Sequence, residues 1–297
     1  MNASNSAPGH GHASDRPHGY RLGHLGAISV TGADAKTFLQ GQLTFDLQQL
    51  TPERLEVAGC NSSLGRMQAV LWLVERSDGI VLILPASMVD TILQRLRKYT
   101  LRAKVRLDSL AARLSIHAGP ASAAQAARAH VEHDGVSTIT WPGSPQRTLV
   151  LAPPSETMLP DPQHELAWRL ADIRAGLPQV YPETYEMFVA QMLNLEQLDG
   201  ISFDKGCYTG QEIIARLHYR GTVKRRMHHF SAACPPPPLA TRLVSNGTHA
   251  GDVVDSAATP AGCELLAVVN LAQLQERLEL ESAMGVQLMR LSDGVTE

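Results

Sequence analysis

The sequence contains few cysteines, few aromatic residues and no long apolar run. Four of its 297 residues are cysteine and 5% are aromatic. The cysteines lie far apart without a CxxC pair, which is unlike a disulfide framework or a structural zinc site and indicates a reducing compartment. The apolar run over 79–85 is far shorter than the roughly 20 residues that cross a bilayer. These absences predict a cytoplasmic protein that does not span a membrane.

Neither sign of charge dominates the composition. The chain has 26 Lys and Arg residues against 29 Asp and Glu residues, a formal net charge of -3. This balance creates no overall field that draws a protein to nucleic acid or to an anionic membrane. We therefore expect no direct nucleic-acid binding and no membrane partner, although a local basic patch is compatible with the composition.

Length and composition predict a folded protein with more than one packed unit. Residues 1–19 lack the apolar stretch of a signal peptide, and we expect a disordered tail there. The histidines of this tail hold no fixed geometry, so no metal site is predicted. The composition changes from Thr222 onward. We therefore expect an α+β region over 20–225 and a small C-terminal β domain over 226–297.

Hydrophobic periodicity predicts both strands and helices. Short apolar runs separated by turn residues predict an antiparallel meander over 55–84. Apolar residues at helical spacing predict a helix over 87–98, with Arg95 on its polar side. A second helix is expected over 162–175, because Asp161 followed by proline is typical of a helix start.

Four further patterns give local predictions. Asp34 is expected to cap a helix over 34–43. Apolar residues alternating with cations predict a half-buried strand over 101–107. An alanine-rich stretch predicts a helix over 121–130. The Asn-Gly pair at 246–247 predicts a β-hairpin in the C-terminal domain.

The segment Asn194–Gly221 has more glycine than packing alone requires. Glycines at this density permit positive φ or a close backbone approach to a ligand. Cys207 follows Lys205 and precedes a helix predicted to start near Gly210, so a cation and a helix N-terminus would stabilise its thiolate. The alternative is an inert buried cysteine, the commonest state of a free cysteine.

The stretch KGCYTGQE at 205–212 resembles the signature of the YgfZ folate-binding family. This family is related to the T-protein of the glycine cleavage system, an aminomethyltransferase. Other blocks resemble the family in the same order, and the resemblance covers roughly residues 20 to 230. These blocks are FLQGQLTFD at 38–46, CNSSLGRM at 60–67, WRLADIRAGLP at 168–178, FVAQMLNLEQLDGISF at 188–203 and ARLHYRGTVKR at 215–225.

The resemblance implies an α+β, T-protein-like fold with lobes around a central channel and a small C-terminal β-barrel. It also implies a tetrahydrofolate-binding accessory protein that supports iron-sulfur cluster assembly or repair in client enzymes, including tRNA-modifying enzymes. The family associates its activity with the motif cysteine, which corresponds to Cys207. The alternative function is folate-dependent aminomethyl transfer, so whether the chain is an enzyme with turnover stays open.

A reduced folate is the cofactor implied by the resemblance, and several residues are candidates to bind it. Cations would pair with the carboxylates of its glutamate tail, an aromatic ring would stack on it, and buried amides would line the channel. The candidates are Lys205 and Arg216 for the tail, Tyr208 for stacking, Gln42 and Asn61 for the channel wall, and Gln211 and Trp168 from the family blocks.

One position departs from the T-protein pattern. Arg174 stands where that protein has the acid that holds the pterin, in an L-E-A-G pattern. A carboxylate accepts hydrogen bonds from the pterin N–H groups, whereas a guanidinium accepts none. Either another acceptor such as Asp172 or Glu196 substitutes, or the folate lies differently, or it binds weakly.

Overall fold

The computed structural model describes residues 19–119, 126–155 and 160–291. The predicted tail therefore lies outside the described residues except for Gly19. The helices are α1 (Ala35–Gln40), α2 (Val89–Arg97), α3 (Pro162–Arg174) and α4 (Gln211–Tyr219). Within the described ranges, no helix has the length and apolar content needed to cross a membrane.

The strands are short and antiparallel, and they follow one another along most of the chain. They are β1 (Tyr20–Arg21), β2 (Leu25–Thr31), β3 (Glu56–Asn61), β4 (Met67–Arg76), β5 (Gly79–Pro85), β6 (Arg106–Ser109), β7 (Ser115–Gly119), β8 (His130–His133), β9 (Val136–Trp141), β10 (Arg147–Ala152), β11 (Arg225–Ala232), β12 (Arg242–Ser245), β13 (Thr248–Thr259), β14 (Gly262–Asn270), β15 (Glu279–Leu280), β16 (Ala283–Gln287) and β17 (Met289–Arg290).

The first sheet has the order β3-β4-β5-β2-β6, and its first three strands form the predicted meander. Strand β4 is apolar without interruption from Ala69 to Val74, because both of its faces are covered. Leu71 and Leu73 face a core formed with α1 and α2, whereas Trp72 and Val74 belong to the core shared with the rest of the molecule.

The second sheet has the order β1-β7-β10-β9-β8. The third has the order β16-β15-β12-β13-β14-β11-β17. This sheet is curled into a half-barrel that stays open, with β16 and β17 as its two edges. Asn246 and Gly247 both have positive φ, 49° and 74°, in the turn between β12 and β13, which confirms the predicted hairpin. The fold is therefore α+β, with a curled C-terminal sheet.

One core joins the three sheets. Trp72 of the first sheet, Trp141 of the second and Trp168 of α3 are buried together, with ring centroids 5.0 and 5.9 Å apart. Val254 and Leu266 of the third sheet belong to the same cluster. Helix α3 begins as predicted, because the Asp161 side chain accepts hydrogen bonds from the first-turn N–H groups.

One of the local predictions is wrong, and a second is wrong over the residues that the structure describes. Residues 101–105 form a turn after α2, in which Leu101 has φ 36° and is 90% exposed, and the strand starts only at Arg106. The alternating pattern therefore marks solvated cations rather than a sheet face. Within 121–130, residues 121–125 lie outside the described residues, and Ala129 forms a β-bridge with Arg54 instead of a helical turn.

Two polar side chains differ from their predicted roles. Asp34 occupies the position before α1, but its carboxylate accepts a hydrogen bond from the Lys104 backbone N–H at 2.6 Å and does not cap the helix. Arg95 is 8% exposed rather than solvated, because its partners come from two other segments of the chain.

Candidate functional site

The loop that carries the motif leads into α4 and packs closely against the turn between β3 and β4. Gly210 precedes the helix with φ 81°, and a Cβ atom there would lie 2.5 Å from the Ser62 carbonyl oxygen. Gly65 has the matching constraint, because its Cβ would lie 2.7 Å from Ile213. Two glycines therefore permit a backbone contact that no other residue allows.

Cys207 lies on the open side of this loop. It is exposed, and a Cβ atom on the neighbouring Gly206 would meet no atom within 4 Å. The thiol is therefore accessible from solvent, which removes the alternative of an inert buried cysteine. Phe203, four residues earlier, stacks on His218, so the loop runs alongside α4.

Lys205 is buried and holds the loop to the segment after α1. Its Nζ donates hydrogen bonds to the carbonyl oxygens of Leu43 at 2.9 Å and Phe45 at 2.6 Å. Burial lowers its pKa to about 8, against a smaller opposing effect of Asp46. The ammonium lies 5.1 Å from the ring centroid of Tyr208. Lys205 therefore anchors the backbone, and its pairing with a glutamate tail stays a prediction.

Further hydrogen bonds join the segment after α1 to its neighbours, including the motif loop. The Thr44 hydroxyl donates to the Gly200 carbonyl oxygen at 2.5 Å and accepts from the Gly59 N–H at 2.7 Å. The Thr209 N–H donates to the Gly41 carbonyl oxygen at 3.2 Å. The blocks at 38–46 and 205–212 are thus in direct contact.

A buried arginine organises the polar groups behind this contact. Arg95 of α2 donates to Gln68 Oε1 at 3.0 Å, to Gln42 Oε1 at 2.6 Å and to the Asn61 carbonyl oxygen at 2.9 Å. Gln68 in turn donates to Glu186 at 2.7 Å. Helical spacing predicted Arg95 on the polar side of α2, and this role was not foreseen. The available signal was its position three residues after Ile92, at the border of the apolar face.

Asn61 is the polar side chain of this cluster that has unused hydrogen-bonding capacity. It is fully buried, and neither its Oδ1 nor its Nδ2 has a partner among the described residues. A Cβ atom on Gly210 would lie 3.1 Å from the Asn61 Cβ, so the residue borders the start of α4. A buried amide without partners is costly, and it indicates a place for a ligand or an ordered water.

Trp168 belongs to a second buried group. Asp172 accepts hydrogen bonds from Trp141 Nε1 at 2.9 Å and from Arg147 at 2.7 Å, and burial raises its pKa. The Arg147 guanidinium lies 4.5 Å from the Trp168 ring centroid. The indole N–H groups of Trp168 and Trp72 are buried and have no partner among the described residues.

Arg174 points toward the third sheet. It donates to both carboxylate oxygens of Glu264, at 2.9 and 2.6 Å, and Glu264 also hydrogen-bonds His229 at 2.9 Å. Of the two proposed substitute acids, Asp172 is engaged by Trp141 and Arg147, and Glu196 lies 2.5 Å from Arg226. Both substitutes already carry hydrogen bonds from the protein.

The predicted site residues fall into three places. Gln42, Asn61, Lys205 and Tyr208 lie in one region, where the loop meets β3, and Tyr208 is 7% exposed, with its pKa raised to about 12 by burial. Trp168 lies in the tryptophan cluster. The remaining two are on α4: Gln211 is its first residue and is half-buried, and Arg216 is exposed.

Comparison with known proteins agrees with this geometry. The chain is 33% identical over 236 residues to the tRNA-modifying protein YgfZ of Vibrio vulnificus strain CMCP6. The aligned region covers 75% of this chain and 72% of that protein. It is 30% identical over 284 residues to the YgfZ protein of Serratia proteamaculans strain 568, with 88% and 85% covered. No family model matches the chain.

The solved structures show the same fold. The glycine cleavage system aminomethyltransferase T of Bartonella henselae superposes with a TM-score of 0.70 over 94% of this chain and 86% of that protein, at 13% identity. The predicted fold and the predicted resemblance are therefore confirmed. On the identity and coverage of its relatives, the chain belongs to the YgfZ family.

Proposed function

We propose that this protein binds tetrahydrofolate and uses Cys207 to support the assembly or repair of iron-sulfur clusters in client enzymes, including enzymes that modify tRNA. The observation that carries the proposal is the unpartnered amide of Asn61, buried where the motif loop meets β3. The name of the relatives, tRNA-modifying protein YgfZ, supports the class of client.

The residues present fit a reduced folate. The pterin edge carries both donors and acceptors, and Asn61 offers one donor and one acceptor that the protein leaves unused. Arg216, exposed on α4, is the cation available for the glutamate carboxylates. The indole N–H of Trp168, in the separate tryptophan cluster, is a further buried donor without a partner among the described residues. When bound, a reduced folate supplies a carrier for a one-carbon unit.

The protein's own contribution is to present a thiol at a fixed place. Lys205 fastens the loop through two carbonyl oxygens, and Gly210 allows the loop to approach the β3–β4 turn. Cys207 stays accessible on the outer side. A thiol in this position is suited to act as a nucleophile or as a ligand toward a docked client.

Aminomethyl transfer is the second candidate function, and the T-protein fold favours it. At 13% identity the likeness shows only the fold. Arg174, which stands in place of the pterin-binding acid and pairs with Glu264, makes aminomethyl transfer the less favoured function. Turnover of an aminomethyl donor with tetrahydrofolate as acceptor would establish this alternative.

Anaerobic calorimetric titration with tetrahydrofolate tests the binding site. We expect saturable binding by the wild type and a loss of about tenfold or more in N61L, because the variant removes both hydrogen-bonding atoms. N61L should unfold at the same denaturant concentration as the wild type or higher, since a buried unpaired amide is replaced by an apolar group of similar size. The control Q197A removes an exposed amide and should bind normally.

Equal affinity of N61L and the wild type would remove Asn61 from the site, and absence of binding by the folded wild type would refute the cofactor.

A separate experiment tests the thiol. C207S should bind tetrahydrofolate yet fail to restore an iron-sulfur client enzyme in cells lacking the gene. C234S, which alters a half-buried cysteine elsewhere, should restore it.

A further inference from the structure

The chain contains one long stretch without acidic residues. From Ile213 to Gly251 there is no Asp or Glu, whereas six Lys or Arg residues occur. The net charge of -3 averages this stretch with the acidic remainder of the sequence. A protein of slightly negative net charge therefore carries a local positive region that begins at α4.

In the folded chain, the start of this stretch is exposed. Arg220 and Lys224 lie at the end of α4 and just after it, and both are exposed. Within the part of the chain that the structure describes, neither side chain has a hydrogen bond or an ion pair. By contrast, Arg225 lies 3.9 Å from Asp252 and Arg226 pairs with Glu196. Two cations thus remain available to an anion from outside.

An aromatic cluster lies beside these cations. Phe203 and His218 are stacked with centroids 3.7 Å apart and an interplanar angle of 17°. Tyr219 meets His218 edge to face at 4.7 Å and is 63% exposed. Phe203 is half-buried, whereas His218 and Tyr219 are exposed. A tyrosine ring gains free energy when it is buried, so its exposed position beside two other rings indicates contact with a partner.

We propose that this surface, formed by Phe203, His218, Tyr219, Arg220 and Lys224 and here named the stacking patch, binds single-stranded RNA. Aromatic rings offer faces on which unpaired bases stack, and neighbouring cations neutralise the phosphates. Four of the five residues of the stacking patch lie in the stretch without Asp or Glu, and the fifth, Phe203, is followed by the exposed Asp204. Rings for stacking beside cations for the phosphates are the physical pattern of single-strand binding.

Other partners fit the stacking patch less well. An acidic protein segment would be held by cations alone and would make no use of three clustered rings. Duplex RNA is contacted mainly through its backbone and 2′-hydroxyl groups, and its paired bases are not available for stacking. An RNA with an unpaired loop satisfies both parts of the patch.

The patch is close to the exposed thiol. Phe203 precedes Cys207 by four residues, which limits the distance between them to about 14 Å of extended chain. An RNA bound here would lie beside the residue proposed to act on client enzymes. RNA binding does not depend on the folate proposal, because Asn61 and Lys205 take no part in it.

Fluorescence anisotropy with a labelled oligouridylate of about 12 nucleotides tests the proposal. We expect saturable binding by the wild type that weakens as salt is raised. Y219A should lose about tenfold in affinity, whereas Y219F keeps the ring and should bind nearly as the wild type does. R220E/K224E should bind at least tenfold more weakly, with a shallower dependence of affinity on salt.

R102E/K104E is the matched control, because it reverses two exposed cations outside the patch. If it weakens binding as much as R220E/K224E, the attraction is a general effect of charge and the proposal fails. Equal binding of an oligoglutamate peptide would assign the patch to an acidic protein instead.

Circular dichroism of each variant verifies the fold, and ultraviolet crosslinking of the wild type should modify the peptide containing Tyr219. Tetrahydrofolate titration of R220E/K224E should be unchanged, which separates this outcome from that of the folate proposal.

Discussion

At the scale of single residues, the four cysteines occupy different environments. Cys207 is exposed, whereas Cys60 is buried and burial raises its pKa. Burial raises the pKa of Cys263 to about 12, and a hydrogen bond with the thiol of Cys234 adds to this effect. Only the thiolate reacts rapidly with alkylating reagents, so exposure and pKa together set the order of reactivity.

We therefore expect iodoacetamide to modify Cys207 first and Cys234 more slowly, with Cys60 and Cys263 reacting only after unfolding. Peptide mass spectrometry at successive times measures the order. C207S should lose the fast phase and keep the slower one. Fast modification of Cys60 in the native protein would contradict the buried position of β3, the strand that contains it.

Lys205 makes the stability of the protein depend on pH. The unfolded chain keeps the lysine proton up to its ordinary pKa of 10.5, whereas the folded chain releases it at about 8. The folded state is therefore favoured increasingly as pH rises from 8 to 10.5. K205M removes this dependence and leaves two buried carbonyl oxygens without a donor, at a cost of about 1–3 kcal/mol each.

Urea unfolding of the wild type and K205M measures both effects. K205M should be less stable at neutral pH, and its deficit should grow as pH rises through the window from 8 to 10.5. The exposed K104M is the control and should follow the wild type at each pH. A deficit that stays constant with pH would show that Lys205 does not titrate in this range.

At the scale of elements, the sequence predicts the helices, strands and turns that depend on residues close together in the chain. The meander, α2, α3 and the hairpin at Asn246 follow from local periodicity, capping and turn chemistry. The roles of Arg95 and Lys205 could not be predicted, because their partners lie far away along the chain. Gln68 is 27 residues from Arg95, and Leu43 is 162 residues from Lys205.

The glycines of the motif loop show the same limit. The glycine density of the segment predicts positive φ without saying where, and of Gly206 and Gly210 only Gly210 has it, at 81°. Gly210 also lies against the Ser62 carbonyl oxygen, whereas Gly206 has open space where a side chain would be. Sequence alone does not distinguish the two glycines, since the difference depends on the β3–β4 turn.

We expect G210A to destabilise the protein by at least about 1–2 kcal/mol, the cost of a left-handed conformation for alanine, with the steric contact added. G206A should change stability by less than about 0.5 kcal/mol. Thermal unfolding of the two variants gives the comparison. Similar melting temperatures for both variants would contradict the close approach at Gly210.

At the scale of the whole molecule, the three sheets are held together by the shared core and by charged contacts across it. Arg174 at the end of α3 reaches Glu264 on β14 with two hydrogen bonds. This contact gives the arginine at the T-protein acid position a structural role, which the linear sequence did not reveal. The family resemblance predicted the fold, but the pairing depends on how α3 packs on the third sheet.

A double-mutant cycle with R174M and E264Q measures this contact. Arg174 is half exposed, so we expect a coupling free energy of only about 0.5–1 kcal/mol at neutral pH. Arg174 lowers the pKa of Glu264 below 4.5, so the coupling should be complete above that pH and disappear as acid protonates the carboxylate. R174M should bind tetrahydrofolate as the wild type does, because its guanidinium is directed to the third sheet. A coupling that persists in strong acid would show that the pair does not depend on the Glu264 charge, and weaker folate binding by R174M would place Arg174 in the site after all.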